Sequence, residues 1–244
     1  MTRITRLAAA TALAALAATS AQAQKAGDWV VGAGALHYAP QDKSRPLQVT
    51  EPPLGSIPGT GANVKSTTTL GLNVHYFLTD NWAVEGVFGI PPRIKLNGEG
   101  ELFGPVGRIG SARLYAPTVL GKYFFGQAED KFRISLGAGV TYNDFRSVRL
   151  NSAGLQQAIG AAGLALPPGA TTSADIGSKW APVLNVGLNY AIDKHWGISG
   201  SVTYMPLKVR ANLTTRVGGQ PVVRSTTKIK VNPVIPFVYL TYRF

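Results

Sequence analysis

Residues 238–244 read Val-Tyr-Leu-Thr-Tyr-Arg-Phe, an alternating segment that ends on an aromatic residue. Val238, Leu240, Tyr242 and Phe244 share one face of such a strand, and the residues between them share the other. Soluble domains rarely end on an exposed aromatic strand, because a free edge invites pairing with other chains. An outer-membrane barrel closes on such a strand, with lipid outside, a polar lumen inside and aromatic side chains at the interface. The segment therefore favours a transmembrane barrel.

The amino-terminal segment predicts export. Arg3 and Arg6 precede an Ala/Leu-rich stretch, which runs into the small-x-small pattern Ala21-Gln22-Ala23. We interpret residues 1–23 as a secretory signal peptide and residues 24–244 as the barrel domain. A retained membrane anchor is the alternative, but the apolar core is shorter than the ~20 residues that a helical span needs.

The composition narrows the class of protein. Hydrophobic residues make up 45% of the chain and charged residues only 15%, which is little charge for a soluble domain. Cysteine is absent, which excludes disulfides and thiolate metal sites. The net charge of +12 falls to +10 without Arg3 and Arg6. An exported chain meets little nucleic acid, so we expect anionic lipopolysaccharide as the basic chain's partner.

Eight segments alternate with the period of two that is typical of strands with one apolar face. They predict an all-β fold, an eight-stranded antiparallel transmembrane β-barrel, from residues 28–38, 65–78, 81–90, 114–125, 132–145, 179–190, 195–207 and 238–244. A soluble lipocalin-like barrel is the alternative. Its outer face is charged, whereas the polar faces here carry small Thr, Asn, Ser and Gly side chains, which suit a narrow lumen.

The connections alternate between short and long, which predicts the orientation of the barrel. Three are short (79–81, 126–131 and 193–194), and the four long ones lie near 39–64, 91–113, 146–178 and 208–227. Outer-membrane barrels have short periplasmic turns and long extracellular loops. Aromatic residues flank the short turns and predict a periplasmic girdle of Tyr76, Trp82, Tyr123, Phe132, Tyr190, Trp196 and Phe244.

Four charged side chains fall on predicted inward faces: Glu85, Lys122, Arg133 and Arg243. Buried charges are costly unless they are paired, so we expect an internal salt-bridge network that plugs the lower lumen. A charged ion path is the alternative. An eight-stranded barrel is only wide enough for side chains to fill, which disfavours an open pore.

The long connections are basic, and lipopolysaccharide phosphates are the expected partners. General solvation of the rim is the alternative for any single residue. Within residues 150–166, Leu155, Ile159 and Leu164 fall on one side of a possible short helix. Such an apolar side predicts a lid or apolar vestibule, or else a loop that packs only on itself.

Catalysis is not favoured. The three histidines, His37, His75 and His195, lack the spacing of a zinc site. His195 with Ser199 and Ser201 is the closest approach to a nucleophilic arrangement, but the short turn places it on the periplasmic side. We therefore predict turn and interface roles for these residues, no enzyme and no cofactor.

Several segments together carry a family resemblance: 26–29 (Ala-Gly-Asp-Trp), 76–85 (Tyr-Phe-Leu-Thr-Asp-Asn-Trp-Ala-Val-Glu), 116–118 with 123–125, 137–142, 180–190 and 242–244. In these segments the chain resembles the OmpW family of outer-membrane proteins, which includes alkane-uptake relatives such as AlkL. The resemblance implies an eight-stranded barrel that takes up small hydrophobic molecules. It implies a channel open to the outside, closed toward the periplasm and with a sideways exit into the bilayer.

The chain departs from that family at Gly32, where many members carry an inward Arg, and in long connections rich in Pro and Gly. By position we predict Leu36, Tyr38 and His75 as lumen-lining residues.

Proline supplies no ladder hydrogen bond, so a wall opening is expected where proline interrupts pairing. We predict the lateral exit at Pro233 and Pro236. The rival function is a structural or interaction barrel that displays its loops for envelope integrity, adhesion or phage and colicin attachment. In either case we expect the barrel-assembly machinery to recognise Phe244.

Overall fold

Strands dominate the structure, a computed structural model that describes residues 24–161, 163 and 169–244. The predicted signal peptide, 1–23, lies outside these residues. The described part contains, in chain order, β1 (Trp29–Tyr38), β2 (Lys43–Ser44), β3 (Leu47–Glu51), β4 (Gly55–Ile57), β5 (Gly61–Val64), β6 (Thr67–Phe77), β7 (Trp82–Gly89), β8 (Arg93–Glu99), α1 (Gly100–Phe103), β9 (Arg108–Tyr115), β10 (Thr118–Phe124), β11 (Phe132–Leu150), α2 (Ser152–Ala161), β12 (Thr171–Ile176), β13 (Lys179–Ala191), β14 (Trp196–Tyr204), β15 (Lys208–Val217), β16 (Gln220–Lys230) and β17 (Val234–Arg243).

Eight of these strands close into a barrel. Their order is β10, β7, β6, β1, β17, β14, β13 and β11, and β11 pairs back onto β10. Every neighbouring pair is antiparallel. The predicted eight-stranded antiparallel barrel is confirmed.

The two faces of the barrel wall have the polarity of a membrane barrel. On β11, Phe132, Ile134 and Leu136 point outward and are exposed, whereas Arg133 and Ser135 point inward and are buried. The same alternation follows β6, β13 and β17. An apolar outer face is stable only against lipid, so the strands cross a bilayer.

Six of the seven aromatic residues of the predicted girdle flank the three short turns, and Phe244 ends the chain after β17. Of the seven, six are exposed on the outer face, and Tyr123 is half-buried against Trp82, with ring centroids 5.1 Å apart. Trp29 likewise packs on Tyr76, with centroids 4.8 Å apart. Tyr and Trp rings favour the membrane interface because one edge is polar, so this belt marks one surface of the bilayer.

Two of the short turns share one geometry. The Thr79 hydroxyl accepts a hydrogen bond from Trp82 N at 3.0 Å, and Asp193 Oδ1 accepts the equivalent bond from Trp196 N at 2.7 Å. In each turn the tryptophan carbonyl oxygen accepts a bond from the N–H of that Thr or Asp. A short polar side chain thus fixes both turns and the strand register on either side.

The long connections contain strands rather than irregular loops. The β8–β9 hairpin pairs with the outer part of β11 and carries β5 on its other edge. A second sheet has the order β12, β15, β16, β3 and β4, with β2 also on β16. The predicted strand at 114–125 is divided at Ala116 and Pro117, because Pro117 donates no ladder hydrogen bond.

Side chains of these outer strands, of α1 and of the segment after β14 form an apolar core that continues upward from the lumen. It includes Leu47, Ile94, Phe103 and Met205. Leu155 and Ile159 of α2 are buried, so the predicted apolar side of this helix packs inward; Leu164 lies outside the described residues. No helix in the described part of the chain is long and apolar enough to cross a membrane.

Candidate functional site

A buried ion pair fills the lower lumen, where the inward faces of β6, β7 and β10 meet. The Glu85 carboxylate lies 3.2 Å from Lys122 Nζ and 3.2 Å from His75 Nε2, and Asn73 Nδ2 donates to it at 2.8 Å. All four residues are buried. A buried charge is costly unless it is paired and hydrogen-bonded, so these side chains stabilise one another as a unit. The structure thus brings together Glu85 and Lys122, two of the four predicted plug residues.

Aromatic rings fill the lumen between this cluster and the periplasmic turns. The rings of Phe77 and Phe124 lie 4.9 Å apart. The Arg133 guanidinium lies 5.3 Å from the Phe124 ring, and its Nη2 donates to the Asp80 carbonyl oxygen at 2.7 Å. Turn carbonyl groups therefore hold Arg133, in place of the predicted pairing with Glu85.

Arg243 lies at the periplasmic mouth, where its Nη1 is 3.5 Å from Asp28 Oδ2. Arg243 and Arg133 line the same small cleft of about 30 Å³. The prediction of a single network of four charges is therefore wrong: Glu85 pairs with Lys122, while Arg133 and Arg243 have other partners nearer the periplasm. Because barrel strands are tilted and staggered, inward positions that look level in the sequence lie at different heights.

Two inward glycine residues leave the space that the filled lumen needs. A Cβ on Gly137 would lie 2.8 Å from Lys122 Cγ, and a Cβ on Gly32 would lie 2.7 Å from Tyr239 Cδ2. Tyr239 is buried against Phe237, with ring centroids 4.4 Å apart. Gly32, where the chain departs from the resembled family, therefore makes room for the Tyr239 ring.

An apolar cavity of about 300 Å³ lies in the upper lumen. Leu36 and Tyr38 line its wall, with Leu120 and Phe237, and Glu85 reaches its floor. His75, the third predicted lining residue, is not on this wall. It lies in the ion cluster because its inward position on β6 is nearer the periplasmic end.

The cavity reaches the barrel wall between β7 and β10. Strand pairing there ends at Thr118 with Val87, and the next bond across the seam is from Leu114 N to the Pro92 carbonyl oxygen at 3.1 Å. Between these two contacts the wall consists of residues that all line the cavity: Phe88, Gly89, Ile90, Pro91, Ala116 and Pro117. A ladder gap flanked by proline is a place where a side opening costs no hydrogen bond.

The eight-stranded barrel agrees with the sequence comparison. The profile of the OmpW family matches residues 25–244. The chain belongs to the OmpW family.

Relatives cover nearly the whole of this OmpW-family chain. Outer membrane protein W of Vibrio cholerae is 29% identical over 222 residues, which are 91% of this chain and 91% of the relative. Outer membrane protein AlkL of Ectopseudomonas oleovorans is 28% identical over 218 residues, or 89% of this chain and 83% of AlkL.

A solved structure shows the same fold. The crystal structure of the outer membrane protein OprG from Pseudomonas aeruginosa superposes with a TM-score of 0.77 at 25% identity, covering 91% of this chain and 98% of OprG. The family and the apolar outer wall place this OmpW-family protein in the bacterial outer membrane, in contact with lipid.

In this OmpW-family barrel the predicted exit prolines lie at a short interruption of the β1–β17 ladder, which ends at Leu36 with Phe237 and resumes at Ala39 with Val234. Pro236 is opposite Val202 in the β14–β17 ladder, and the Pro233 carbonyl oxygen accepts from Met205 N at 3.2 Å. On the other side, Val234 N donates to the Ala39 carbonyl oxygen at 2.9 Å. The interruption on the β1 side spans only Ile235 and Pro236, and the β14 side stays paired; an exit at Pro233 and Pro236 remains a prediction.

A second apolar cavity, of about 70 Å³, lies among the extracellular strands. Leu47, Phe103, Ile109 and Leu155 line it. The same apolar core contains residues of both cavities, so buried apolar side chains extend from the outer strands to the lumen.

The histidine and serine residues considered for catalysis are kept apart. Ser199 and Ser201 are buried in the lumen, whereas the His195 ring stacks on Tyr242 at 5.7 Å. Within residues 24–161, 163 and 169–244, no group of three or more His, Cys, Asp or Glu side chains is placed to hold a metal ion.

Sequence reasoning missed four residues of the filled lumen: Asn73, Phe77, Phe124 and Tyr239. Asn73 and Phe77 share a strand face with His75, and Phe124 shares one with Lys122, so alternation could have found them. It also missed Phe88 and Ile90 at the wall gap. Nothing in the sequence distinguishes these two from other lipid-facing residues, because the gap depends on the partner strand.

Proposed function

We propose that this barrel takes up small hydrophobic molecules passively and releases them sideways into the bilayer. The supporting observation is the cavity of about 300 Å³, which has a filled lumen below it and a gap in strand pairing beside it. Toward the periplasm, a solute in this cavity is blocked by the ion cluster and the aromatic rings. Through the β7–β10 gap it meets lipid.

The driving force is the transfer of apolar surface out of water. Each methylene group of the solute that leaves water lowers the free energy by about 0.8 kcal/mol, whether it enters the cavity or the hydrocarbon of the bilayer. The solute therefore needs no energy source to move from the extracellular apolar core to the lumen and onward. The paired Glu85 and Lys122 keep ions and water from following the same lumen to the periplasm.

The proposal includes two partners besides the bilayer and no enzymatic reaction. Lipopolysaccharide is expected at the basic extracellular strands. The barrel-assembly machinery is expected to recognise Phe244, which is 74% exposed and packs on Tyr242 with ring centroids 5.0 Å apart. An exposed terminal ring on a paired strand is available to another protein before the bilayer covers it.

The extracellular sheets favour a second function, in which the barrel is a support for display. The sheet of β12, β15, β16, β3 and β4 gives the outer part a defined surface, as attachment or adhesion requires. This function predicts no effect of the protein on apolar solute uptake.

Uptake of a radiolabelled medium-chain alkane by cells with and without the protein separates the two functions. We expect faster uptake with the protein and little ion conductance in planar bilayers. Ile90→Trp with Ala116→Trp fills the wall gap and should slow uptake about tenfold, the effect of a barrier raised by about 1.4 kcal/mol. Pro236→Ala, on the opposite wall, is the matched control and should leave uptake unchanged.

Equal uptake with and without the protein would support the display function. Uptake that falls in Pro236→Ala but not in the paired Trp variant would contradict an exit between β7 and β10.

A further inference from the structure

A groove of about 760 Å³ on the outer face of the second sheet is strongly basic. Lys208 and Arg210 of β15 and Lys228 and Lys230 of β16 line it, with Lys43, Arg45 and Lys179 at its edges. These seven cations are among twelve lining residues, and none of the twelve carries a carboxylate. The groove is distinct from the lumen and from the wall gap.

The strand register places like charges directly opposite one another. Lys208 is opposite Lys230, Arg210 is opposite Lys228, and Lys43 is opposite Lys230 from the other side. Like charges in directly opposed positions destabilise a sheet. Three such pairs in one groove therefore oppose folding unless an anion lies between them.

Neighbouring carboxylates are engaged elsewhere or lie outside the groove. Asp42 accepts a hydrogen bond from Val64 N at 2.6 Å. Glu51 is 3.3 Å from Arg224. Asp175 lies opposite Asn212, at the groove's margin. Asp175 at the margin offsets only part of the charge of seven cations, so the groove stays strongly positive.

The groove lies at the outer edge of the apolar band. Lys179 directly precedes Trp180, which is 69% exposed and packs on Tyr142 with ring centroids 5.1 Å apart. Tyr204, another exposed aromatic residue, is followed four residues later by Lys208. Residues 205–207 lie outside the strands, and even a fully extended chain at ~3.5 Å per residue puts Lys208 no more than about 14 Å from Tyr204. The cations therefore lie at the height of the outer-leaflet headgroups.

We propose that this groove binds the phosphorylated glucosamine headgroup of a lipopolysaccharide molecule in the adjacent outer leaflet. The inference deepens the lipopolysaccharide contact of the proposed function and is independent of solute uptake. Lysine and arginine bind phosphate through charge-assisted hydrogen bonds. Two phosphates separated by a disaccharide match a groove whose cations extend along two paired strands.

Native mass spectrometry of the full mature protein in detergent, titrated with purified bisphosphorylated lipid A, tests the proposal. The groove variant is Lys208→Gln, Lys228→Gln and Lys230→Gln. The matched control, Lys95→Gln, Arg108→Gln and Arg149→Gln, removes the same charge from exposed positions on β8, β9 and β11. Loss of one charged hydrogen bond weakens binding about tenfold or more, so we expect at least that loss in the groove variant and little change in the control.

Three further measurements distinguish a phosphate site in the groove from a general attraction between a basic protein and an anionic lipid. Lys→Arg at the same three positions should retain binding, and monophosphorylated lipid A should bind the wild type more weakly. In lipid-free detergent the groove variant should unfold at a higher temperature than the wild type, because the like-charge pairs are gone. That last result also verifies that the variant folds.

Equal losses in the groove and control variants would overturn the proposal, because net charge alone would then account for binding. Equal binding of lipid A with and without phosphates would also overturn it. Displacement of lipid A by a soluble sulfated polysaccharide at the same molar concentration would overturn it in favour of a soluble acidic partner.

Discussion

The lower and upper halves of the lumen are built on the same strands but have opposite chemistry. On β7, Glu85 belongs to the ion cluster and the next inward residue, Val87, lines the cavity. On β10, Lys122 is in the cluster and Leu120 is on the cavity wall. One inward position therefore separates a filled polar lumen from an open apolar one. The boundary is sharp because each strand presents one lumen side chain for every two residues.

Removing the charge pair should produce the largest effect on this boundary. Glu85→Ala leaves Lys122 buried without a counter-charge, and breaking such a pair costs about 3–5 kcal/mol of unfolding free energy. We expect that loss in urea unfolding from lipid vesicles, together with a higher single-channel conductance as water enters the lower lumen.

The double variant Glu85→Gln with Lys122→Met is the control, since it removes both charges and should recover most of the stability. Unchanged conductance and stability in Glu85→Ala would contradict a plug that depends on this pair.

Filling the upper half should have an intermediate effect, on uptake alone. Leu36→Trp extends an indole ring into the cavity of about 300 Å³. We expect alkane uptake to slow about tenfold, the effect of a barrier raised by about 1.4 kcal/mol, while conductance and urea stability change little. Leu72→Trp, on the lipid-facing side of the neighbouring strand, is the matched control. Equal uptake in both variants would show that the solute bypasses this cavity.

The smallest effect concerns the turns that close the lower half. The amides of Trp196 and His195 hold the pKa of Asp193 below its usual range. A carboxyl group whose pKa is lower in the folded than in the unfolded state stabilises the fold at pH values above its unfolded-state pKa of about 3.9. That stabilisation is lost as the pH falls through the folded-state pKa. Acid should therefore reduce the exchange protection of the Trp196 amide. The equivalent Trp82 amide, bonded to the non-titrating Thr79 hydroxyl, should keep its protection over that range. Parallel losses at both tryptophan residues would contradict a role for the Asp193 carboxylate.

The barrel itself could be predicted from the sequence because lipid and lumen impose a period of two on every wall strand. The same alternation placed Glu85, Lys122, Leu36 and Tyr38 on inward faces. It did not predict that Arg133 is held by the carbonyl groups of the turns, because heights in the lumen depend on the stagger between strands. The outer strands were missed because the long connections of a membrane barrel are expected to be loops, although β15 contains neither Pro nor Gly and alternates clearly.

The position of the wall gap shows a second limit of the sequence. Pro236 and Pro117 both lack an N–H, so each can interrupt strand pairing. At Pro236 the pairing with β1 is interrupted over two residues while β14 stays paired, whereas Phe88 and Ile90 keep β6 but have lost β10 as a neighbour over a longer stretch. A proline marks where pairing is weakened, and the neighbouring strand decides whether a gap results.

The seam between β1 and β17 joins strands from opposite ends of the barrel domain, with Val30 opposite Arg243. This contact cannot form until the last strand has been made, and such distant pairings slow folding because a long loop must be closed first. Until then β1 and β17 both present unpaired edges, which associate readily with other chains. The unfolded protein therefore has to keep its first and last strands shielded until they pair with each other.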